Sequence, residues 1–306
     1  MKKSFFVFVV AASLLFQSCA SVINFMDPEG PEYHGSYAVA SAASILDIKI
    51  VTYNIAWGKR AEQAAKELQY TPELKNADII LLQEMDAAGV ENMAQALGYN
   101  YVYFPGSIHN LTNKDIGNAI LSRWALSEEK KLIFPHKQSW NDRIRLAAVA
   151  TAIINGKRVR VYNVHAATVM MSENKQFDQL ESVLADVSGD YDAVIVGGDF
   201  NTARPGSVKR SQHLFGSAGF LRASDGAGYT SKALGLIPFT LDHIFTKGLN
   251  VLQAGVVKHA EASDHLPLWA VLEFDEKNEI LANRPAKVGV DERRGQVLRG
   301  SVLLVE

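Results

Sequence analysis

The stretch Val194-Ile195-Val196-Gly197-Gly198-Asp199-Phe200-Asn201 combines a short β-branched run with two glycines and two polar side chains. Such an apolar run is typical of a buried β-strand, and glycines in this position allow another backbone to approach closely. Asp199 and Asn201 share one face of an extended chain because side chains alternate with a period of two. This stretch therefore predicts a buried strand that ends in polar groups.

Apolar segments of the same kind recur along the chain and predict the fold class. The helical spacing of apolar residues over 173–187 predicts an amphipathic helix, and 60–68 also has helical character. Closely spaced strands between 117 and 166 indicate hairpins, so we expect two mixed β-sheets flanked by helices, an α/β fold. The predicted strands cover 48–55, 79–82, 117–122, 146–154, 159–165, 193–197, 240–245 and 266–274.

Composition limits the function classes. The 306 residues are 48% hydrophobic and 21% charged, which is typical of a globular protein rather than a disordered or fibrous one. The net charge of −2 gives no overall basicity for nucleic-acid binding, although a local basic groove is compatible with it. A single cysteine excludes internal disulfides and multi-cysteine zinc sites.

The N-terminus is typical of an export signal. Met1-Lys2-Lys3 precedes an apolar run over 5–16, and Cys19 follows a small residue. Residues 1–19 resemble a bacterial lipoprotein signal, in which the cysteine is lipidated, although Phe16 stands where leucine is usual. This predicts a lipoprotein anchored to a membrane of the cell envelope. The alternative is a plain secretory signal and a periplasmic or secreted protein.

Three further segments follow from composition. Residues 20–44 are small, polar and interrupted by proline and glycine, which predicts a flexible tether. Residues 45–275 contain the predicted strands and form the expected domain. Residues 276–306 are a C-terminal extension, either docked or partly disordered.

Seven motifs with polar residues at strand ends follow one another along the chain. They are YNIAWG (53–58), LLQE (81–84), GNAILSR (117–123), YNVH (162–165), GGDFN (197–201), LDHIF (241–245) and SDHLP (263–267). In this order they closely resemble the signature blocks of the endonuclease/exonuclease/phosphatase superfamily, which includes deoxyribonucleases, abasic-site endonucleases, neutral sphingomyelinases and inositol-polyphosphate phosphatases. The resemblance runs from about residue 48 to 274 and implies a four-layer α/β/β/α sandwich and phosphoester hydrolysis.

The resemblance also implies a metal site. It makes Glu84 the principal ligand, with Asn54 beside it and Asp264 completing the sphere. Oxygen ligands suit Mg²⁺, which keeps several of its waters and neutralises phosphate charge. Mn²⁺ is the expected substitute.

The remaining site residues follow from the same resemblance. Asp199 would orient or deprotonate the attacking water, with Asn201 helping to place this water or the phosphate. His265 would contact the scissile phosphate, with Asp242 as its carboxylate partner. His165 would protonate the leaving oxygen. Arg145 and Asn118 would bind the phosphate, with a surface ion pair and a strand-entry role as their alternatives.

The substrate stays open at this point, between nucleic acid, a lipid head group and a soluble phosphate ester. Trp57 and Trp140 are expected to pack internally more than to line a cleft, and the apolar stretch 234–239 is either a buried loop or a lip for lipid. No obligate protein partner is indicated. A non-catalytic phosphate- or lipid-binding lipoprotein is the alternative function, but the full set of site residues favours an enzyme.

Overall fold

The computed structural model describes residues 22–39, 45–109, 113–233 and 237–275. Within these residues the chain forms strands and helices in mixed order. The helices are α1 (Ala61–Tyr70), α2 (Ala87–Leu97), α3 (Glu173–Asp186) and α4 (Ser207–Ser217). The strands are β1 (Tyr33–Gly35), β2 (Ile48–Asn54), β3 (Ile79–Met85), β4 (Asn100–His109), β5 (Lys114–Ser122), β6 (Leu126–Ile133), β7 (Leu146–Ile154), β8 (Lys157–His165), β9 (Ala193–Asp199), β10 (Leu221–Arg222), β11 (Ser231–Ala233), β12 (Ile237–Phe239), β13 (Asp242–Lys247), β14 (Leu249–Val256) and β15 (Leu268–Phe274).

The described strands form two large sheets and a separate small hairpin. The first sheet has seven strands in the order β1-β4-β5-β3-β2-β15-β14, and the second has six in the order β10-β13-β9-β8-β7-β6. In the first sheet β2 and β3 are parallel, and in the second β8 and β9 are parallel, while their other neighbours run antiparallel. The prediction of an α/β fold with two mixed sheets is confirmed.

Three apolar clusters define the layers. One joins the facing sides of the two sheets and includes Ile50, Leu81 and Ile195. Another packs the outer side of the first sheet against α1 and α2, and a third packs the outer side of the second sheet against α3 and α4. Ile50 and its neighbour Val51 lie in different clusters because successive strand residues point to opposite faces. The layers are therefore α/β/β/α.

The sequence-based bounds are too short at the site end of two strands. The prediction ended them at residues 82 and 197, whereas β3 continues to Met85 and β9 to Asp199. Glu84 and Asp199 thus lie inside hydrogen-bonded strands. Strands β4, β6 and β14 and helices α2 and α4 were not predicted.

The prediction of a flexible tether over 20–44 differs from the structure over residues 22–39. Tyr33–Gly35 pairs antiparallel with β4, and Asn24 forms an isolated bridge with Ser107. The ammonium group of Lys131 donates to the backbone oxygens of Phe25 and Gly30. Edge pairing of this kind uses backbone groups and needs no apolar periodicity, so composition did not reveal it.

The predicted signal 1–19 with Cys19, and the predicted extension 276–306, lie outside the described residues. Among the residues that the structure describes, no helix is long and apolar enough to cross a membrane.

Candidate active site

The predicted site residues meet where strands of both sheets end. In the second sheet, His165 on β8 is level with Asp199 on β9, and Asp199 is level with Asp242 on β13. This register places three side chains in a row across neighbouring strands. Asn54 at the end of β2 and Glu84 near the end of β3 face them from the first sheet.

Glu84 is directed into the site by a bulge. The register between β3 and β5 shifts between Leu82 and Met85, and Glu84 has a φ of 56°. A bulge redirects the side chain that it contains, and a positive φ in a residue other than glycine is strained and concentrates at functional sites. Burial raises the pKa of the Glu84 carboxyl, although the charges of Arg145 and His265 oppose this.

Asp199 is the centre of the buried charges. Its Oδ2 atom accepts a hydrogen bond from Asn54 Nδ2 at 3.0 Å and lies 3.6 Å from His165 Nε2 and 3.8 Å from His265 Nε2. Its Oδ1 atom accepts from the backbone N–H of Asn201 at 2.9 Å. Burial raises the pKa of Asp199 to about 7, against the lowering effect of His265.

His265 and Asp242 form the predicted pair. Nδ1 of His265 lies 2.9 Å from Oδ2 and 3.2 Å from Oδ1 of Asp242, and both side chains are buried. Burial disfavours the imidazolium, but the carboxylates of Asp242 and Asp199 outweigh it and raise the pKa of His265 to about 10. The arrangement therefore holds a buried cation whose Nε2 faces the site.

His165 lies against the guanidinium group of Arg145, whereas a proton donor needs a partner that stabilises its charged form. Nη1 of Arg145 lies 2.7 Å from Nε2 and 2.9 Å from Nδ1 of His165. A guanidinium can only donate, so the imidazole accepts. Burial and then the charges of Arg145 and His265 lower the pKa of His165 well below its usual range. The geometry brings both predicted residues together but does not favour the predicted role of His165 as proton donor.

Asn118 lines the cleft and is also bonded to the second sheet. Its Nδ2 donates to the backbone oxygens of Leu146 at 3.0 Å and Asn163 at 3.1 Å. Both amide hydrogens therefore face backbone oxygens. Phosphate binding by Asn118 and its alternative strand-entry role stay predictions.

Asn201 is held by the chain around it. Its Nδ2 donates to the oxygen of Ala166 at 2.9 Å, and its φ of 53° turns the chain after β9. Placement of water or phosphate by Asn201 stays a prediction.

Three residues that the sequence did not single out support the site. Gln176 on α3 donates through Nε2 to the oxygens of Ala167, Phe200 and Asn201. Thr230 Oγ1 accepts from the backbone N–H groups of Leu241 and Asp242. Gln83 donates to Asn163 Oδ1 at 2.6 Å and so joins the sheets. A glutamine on the buried face of an amphipathic helix is the signal that marks Gln176.

The donor set fits a hard divalent cation. The negative charge of Asp264 raises the pKa of the Glu84 carboxyl, while the positive charge of Arg145 lowers it. The exposed Asp264 and the half-buried Glu84 offer carboxylate oxygens, which hard cations prefer. Asn54 donates through Nδ2 to Asp199, and its Oδ1 accepts one hydrogen bond from Ala56 N, which leaves a second lone pair of Oδ1 for a metal.

A second group of side chains could also bind a metal. Ligand atoms of Asp199, Asp242 and His265 all lie within 4.8 Å of one another, and such a buried group could bind a metal. Both oxygens of Asp242 already lie at hydrogen-bond distance from His265 Nδ1, however. We therefore favour Glu84 and Asp264 as the metal side of the site.

A cleft with a volume of about 160 Å³ opens beside these residues. Its lining includes Glu84, His165, Arg143, Trp57 and Trp140. Trp57 is 40% exposed and Trp140 is 58% exposed, so the expectation that they pack internally is wrong. In the apolar stretch 234–239 the structure describes residues 237–239. Ile237 is exposed, which does not favour the predicted alternative of a buried loop.

Comparison with known proteins assigns the family. The model of the Endonuclease/Exonuclease/phosphatase family matches residues 51–265, and the chain belongs to this family. Enzymes of the family hydrolyse phosphoester bonds with the help of a metal. An UPF0294 protein of Yersinia pseudotuberculosis is 31% identical over 134 residues, which are 43% of this chain and 49% of that protein. The chain thus spans about half the length of the curated relatives it matches.

Solved structures share the fold at low sequence identity. An endonuclease/exonuclease/phosphatase from Beutenbergia cavernae has a TM-score of 0.61 at 20% identity, covering 75% of this chain and 72% of that one. TDP2 of D. rerio, complexed with single strand DNA product, has a TM-score of 0.60 at 19% identity, covering 74% and 99%. A mannosyl-6-phosphatase of Bacteroides thetaiotaomicron has a TM-score of 0.58 at 20% identity, covering 74% and 100%.

Proposed function

We propose that the protein is an exported, Mg²⁺-dependent phosphodiesterase. One observation carries this proposal: Asp199 lies within 4 Å of both histidines, while Glu84 lies 3.7 Å from one of them. Carboxylates that suit a cation and a water therefore lie beside the neutral ring of His165 and the charged ring of His265, and Arg145 adds a second cation for a phosphate. Family membership supports phosphoester hydrolysis, and the open cleft beside Glu84 leaves room for the second ester group of a diester.

The residues divide the reaction between them. Asp199 and Asn201 place the water that adds to phosphorus, and Asp199 accepts its proton. His265, held by Asp242, and Arg145 neutralise charge on the phosphate. The P–O ester bond breaks as the new one forms. The leaving alkoxide takes a proton from solvent water and the proton on Asp199 returns to solvent, so that a diester and water give a monoester and an alcohol. Glu84, Asp264 and Oδ1 of Asn54 would hold Mg²⁺, which would supply Lewis-acid neutralisation of the phosphate oxygens.

Export and anchoring complete the proposal. The signal-like residues 1–19 support secretion, and lipidation of Cys19 would attach the protein to a membrane of the cell envelope. Radioactive palmitate fed to expressing cells should label the protein, and Cys19→Ala should remove the label. Label that persists in Cys19→Ala would contradict lipidation at this residue.

A soluble diester tests the catalytic proposal without assuming a natural substrate. The mature chain should hydrolyse bis(p-nitrophenyl) phosphate in Mg²⁺, should hydrolyse p-nitrophenyl phosphate more slowly, and should stop in chelator. Readdition of Mn²⁺ should restore part of the rate. A folded protein that binds Mg²⁺ but hydrolyses neither ester would favour the non-catalytic alternative, and preference for the monoester would contradict a phosphodiesterase.

A further inference from the structure

Residues 22–26 run along the edge of the cleft rather than away from the domain. Phe25 N donates to the oxygen of Gly106, and Ile108 N donates to the oxygen of Ile23, each at 2.9 Å. Asn24 forms a bridge with Ser107 between them. Gly106 and Ser107 both line the cleft, so the first described residues of the chain form part of its surroundings.

The side chain of Asn24 also binds the other strip of chain at the cleft. Its Nδ2 donates to the oxygen of Asp142 at 2.9 Å, and its Oδ1 accepts from Ile144 N at 3.0 Å. Ile144 and its neighbour Arg143 line the cleft. One amide thus joins the N-terminal segment to the loop that carries Arg143 and Trp140.

The position of Cys19 then limits where a membrane can lie. Cys19 is five residues before Asn24, and an extended chain spans at most about 3.6 Å per residue, or about 18 Å in all. A domain of this size is about 45 Å across. A lipid on Cys19 could not reach a bilayer on the far side of the domain, and it would keep the cleft edge that carries Asn24 within about 18 Å of the membrane.

The surface around the cleft suits that position. We define the cleft rim as Ile23, Met26, Trp57, Trp140, Val169 and Met170. All six side chains are exposed, with Met170 at 66%, and Thr168, next to Val169, lines the cleft. The other two tryptophans, Trp124 and Trp269, are buried. Exposed tryptophans are typical of membrane interfaces, where an apolar body meets a wet edge.

Cations accompany these apolar groups. Lys59 Nζ lies 4.2 Å from the centre of the Trp57 ring, and the half-buried Arg143 faces the cleft. Cations near a bilayer attract anionic head groups. Nucleic acid would need basic residues spread over several phosphates, whereas the lysines and arginines that line the described cleft are Arg143 and Arg145.

We propose that the cleft rim faces a phospholipid bilayer, and that the phosphodiester entering the cleft is that of a lipid head group. The inference rests on the proposed function, since it uses the anchor at Cys19 and the phosphodiesterase site. Asn24 is the positioning residue because it fixes the anchored end of the chain to the cleft. Its two side-chain hydrogen bonds add to the backbone pairing of residues 22–26 at the edge of the cleft.

The orientation is tested by coupling the Cys19 thiol of the chain 19–306 to a maleimide lipid, which makes the test independent of lipidation in cells. The vesicles contain phosphatidylcholine and phosphatidylglycerol in equal amounts, with doxyl-labelled phosphatidylcholine as quencher. Tryptophan fluorescence should be quenched in the wild type and not in Trp57→Phe/Trp140→Phe. Equal quenching in both proteins would overturn the proposed orientation.

Ile153→Trp in that double variant is the matched control. Ile153 is exposed on β7, seven residues from Leu146 at the cleft end, or about 23 Å away. We expect no added quenching there, and strong quenching would mean that the opposite end faces the bilayer. In Asn24→Ala, attachment should persist while quenching of Trp57 and Trp140 falls.

Hydrolysis separates the substrate inference from the proposed function. Vesicle-bound wild type should release head groups, and Asn24→Ala should do so about tenfold more slowly, because the anchored site no longer presents its cleft to the bilayer. Both proteins should hydrolyse soluble bis(p-nitrophenyl) phosphate equally. Absence of bis(p-nitrophenyl) phosphate hydrolysis in the wild type would contradict the proposed phosphodiesterase function. Two results would overturn the inference while diester hydrolysis stays normal. One is that Asn24→Ala hydrolyses lipid as fast as the wild type, and the other is that the wild type nicks plasmid DNA and does not hydrolyse lipid.

Discussion

Asp242 holds His265 with both of its carboxylate oxygens, at 2.9 Å and 3.2 Å from Nδ1. The pair leaves Nε2 of His265 directed toward Asp199, 3.8 Å away. Because the carboxylate occupies Nδ1, it fixes the orientation of the ring and stabilises its charged form. The predicted contact between His265 and a phosphate depends on this relationship.

Replacement of Asp242 should therefore disable the site without unfolding the protein. In Asp242→Asn we expect diester hydrolysis to fall by about 100-fold or more, as when a positioned acid or base loses its orienting partner. The matched control is Asp190→Asn, an exposed acid in the loop before β9. Rates are measured with bis(p-nitrophenyl) phosphate and folding by circular dichroism. A folded Asp242→Asn protein with near wild-type rate would contradict the role of the pair.

His165 gives a prediction about the leaving group. Arg145 already donates to its ring, so we expect His165 to position Arg145 rather than to supply a proton. His165→Ala should then slow aryl phosphodiesters with p-nitrophenol and with phenol as leaving group by similar factors. A much larger loss for phenol, the poorer leaving group, would restore the role of proton donor.

His243 should make the fold sensitive to acid. Its ring is fully buried between Phe200 and Phe245, Nε2 contacts Thr202 Oγ1 at 2.8 Å, and burial, then Arg222, lowers its pKa well below 6.5. Because the pKa of His243 is lowered in the folded protein, this side chain binds a proton in the unfolded chain at a pH at which it stays neutral in the folded chain. Stability is therefore present above pH 6.5 and declines as the pH falls below it.

The variant His243→Gln tests this linkage. It should be less stable than wild type at pH 8 because ring packing is lost. Its free energy of unfolding should nevertheless fall less than that of wild type between pH 7 and pH 5, measured by urea denaturation. Parallel loss in the two proteins would show that His243 is not the group responsible.

Gly198 should be essential for stability. A Cβ there would lie 2.0 Å from the oxygen of Val164, and its φ is 137°. Gly198→Ala should reduce the free energy of unfolding by about 3 kcal/mol or more, from strain and overpacking. Gly216→Ala is the control, since Gly216 lies in α4 with nothing within 4 Å, and it should stabilise by up to about 1 kcal/mol. Equal stability of the two variants would contradict this close approach.

Much of the fold could be predicted because its central strands are apolar runs that are buried on both faces. β7 has its predicted bounds, and β9 begins where predicted but continues two residues further. β4 was missed because Pro105 and Gly106 interrupt it, and β6 because four charged residues over 128–131 hide its alternation. α2 was missed although Asp86 caps its start and Gly98 ends it in the left-handed region.

The residues of the candidate site were predicted from motifs, but motifs do not show how the side chains are directed or what they contact. They placed Glu84, Asp199 and His265 together, but only the bulge at Glu84 explains how a strand residue enters the cleft. The use of both amide hydrogens of Asn118 by backbone oxygens depends on packing between sheets. The contacts of Asn24 join residues 118 and 120 positions apart, beyond any local pattern.

Glu84→Gln under Mg²⁺ titration tests the central claim most directly. Glutamine preserves shape but removes the charge that a hard cation requires. Hydrolysis of bis(p-nitrophenyl) phosphate should rise and saturate with Mg²⁺ in the wild type and in the exposed control Glu181→Gln. In Glu84→Gln the rate of hydrolysis should stay near the rate measured in chelator, and calorimetry should detect no Mg²⁺ binding. A Glu84→Gln protein that binds Mg²⁺ and hydrolyses the diester like wild type would contradict the account.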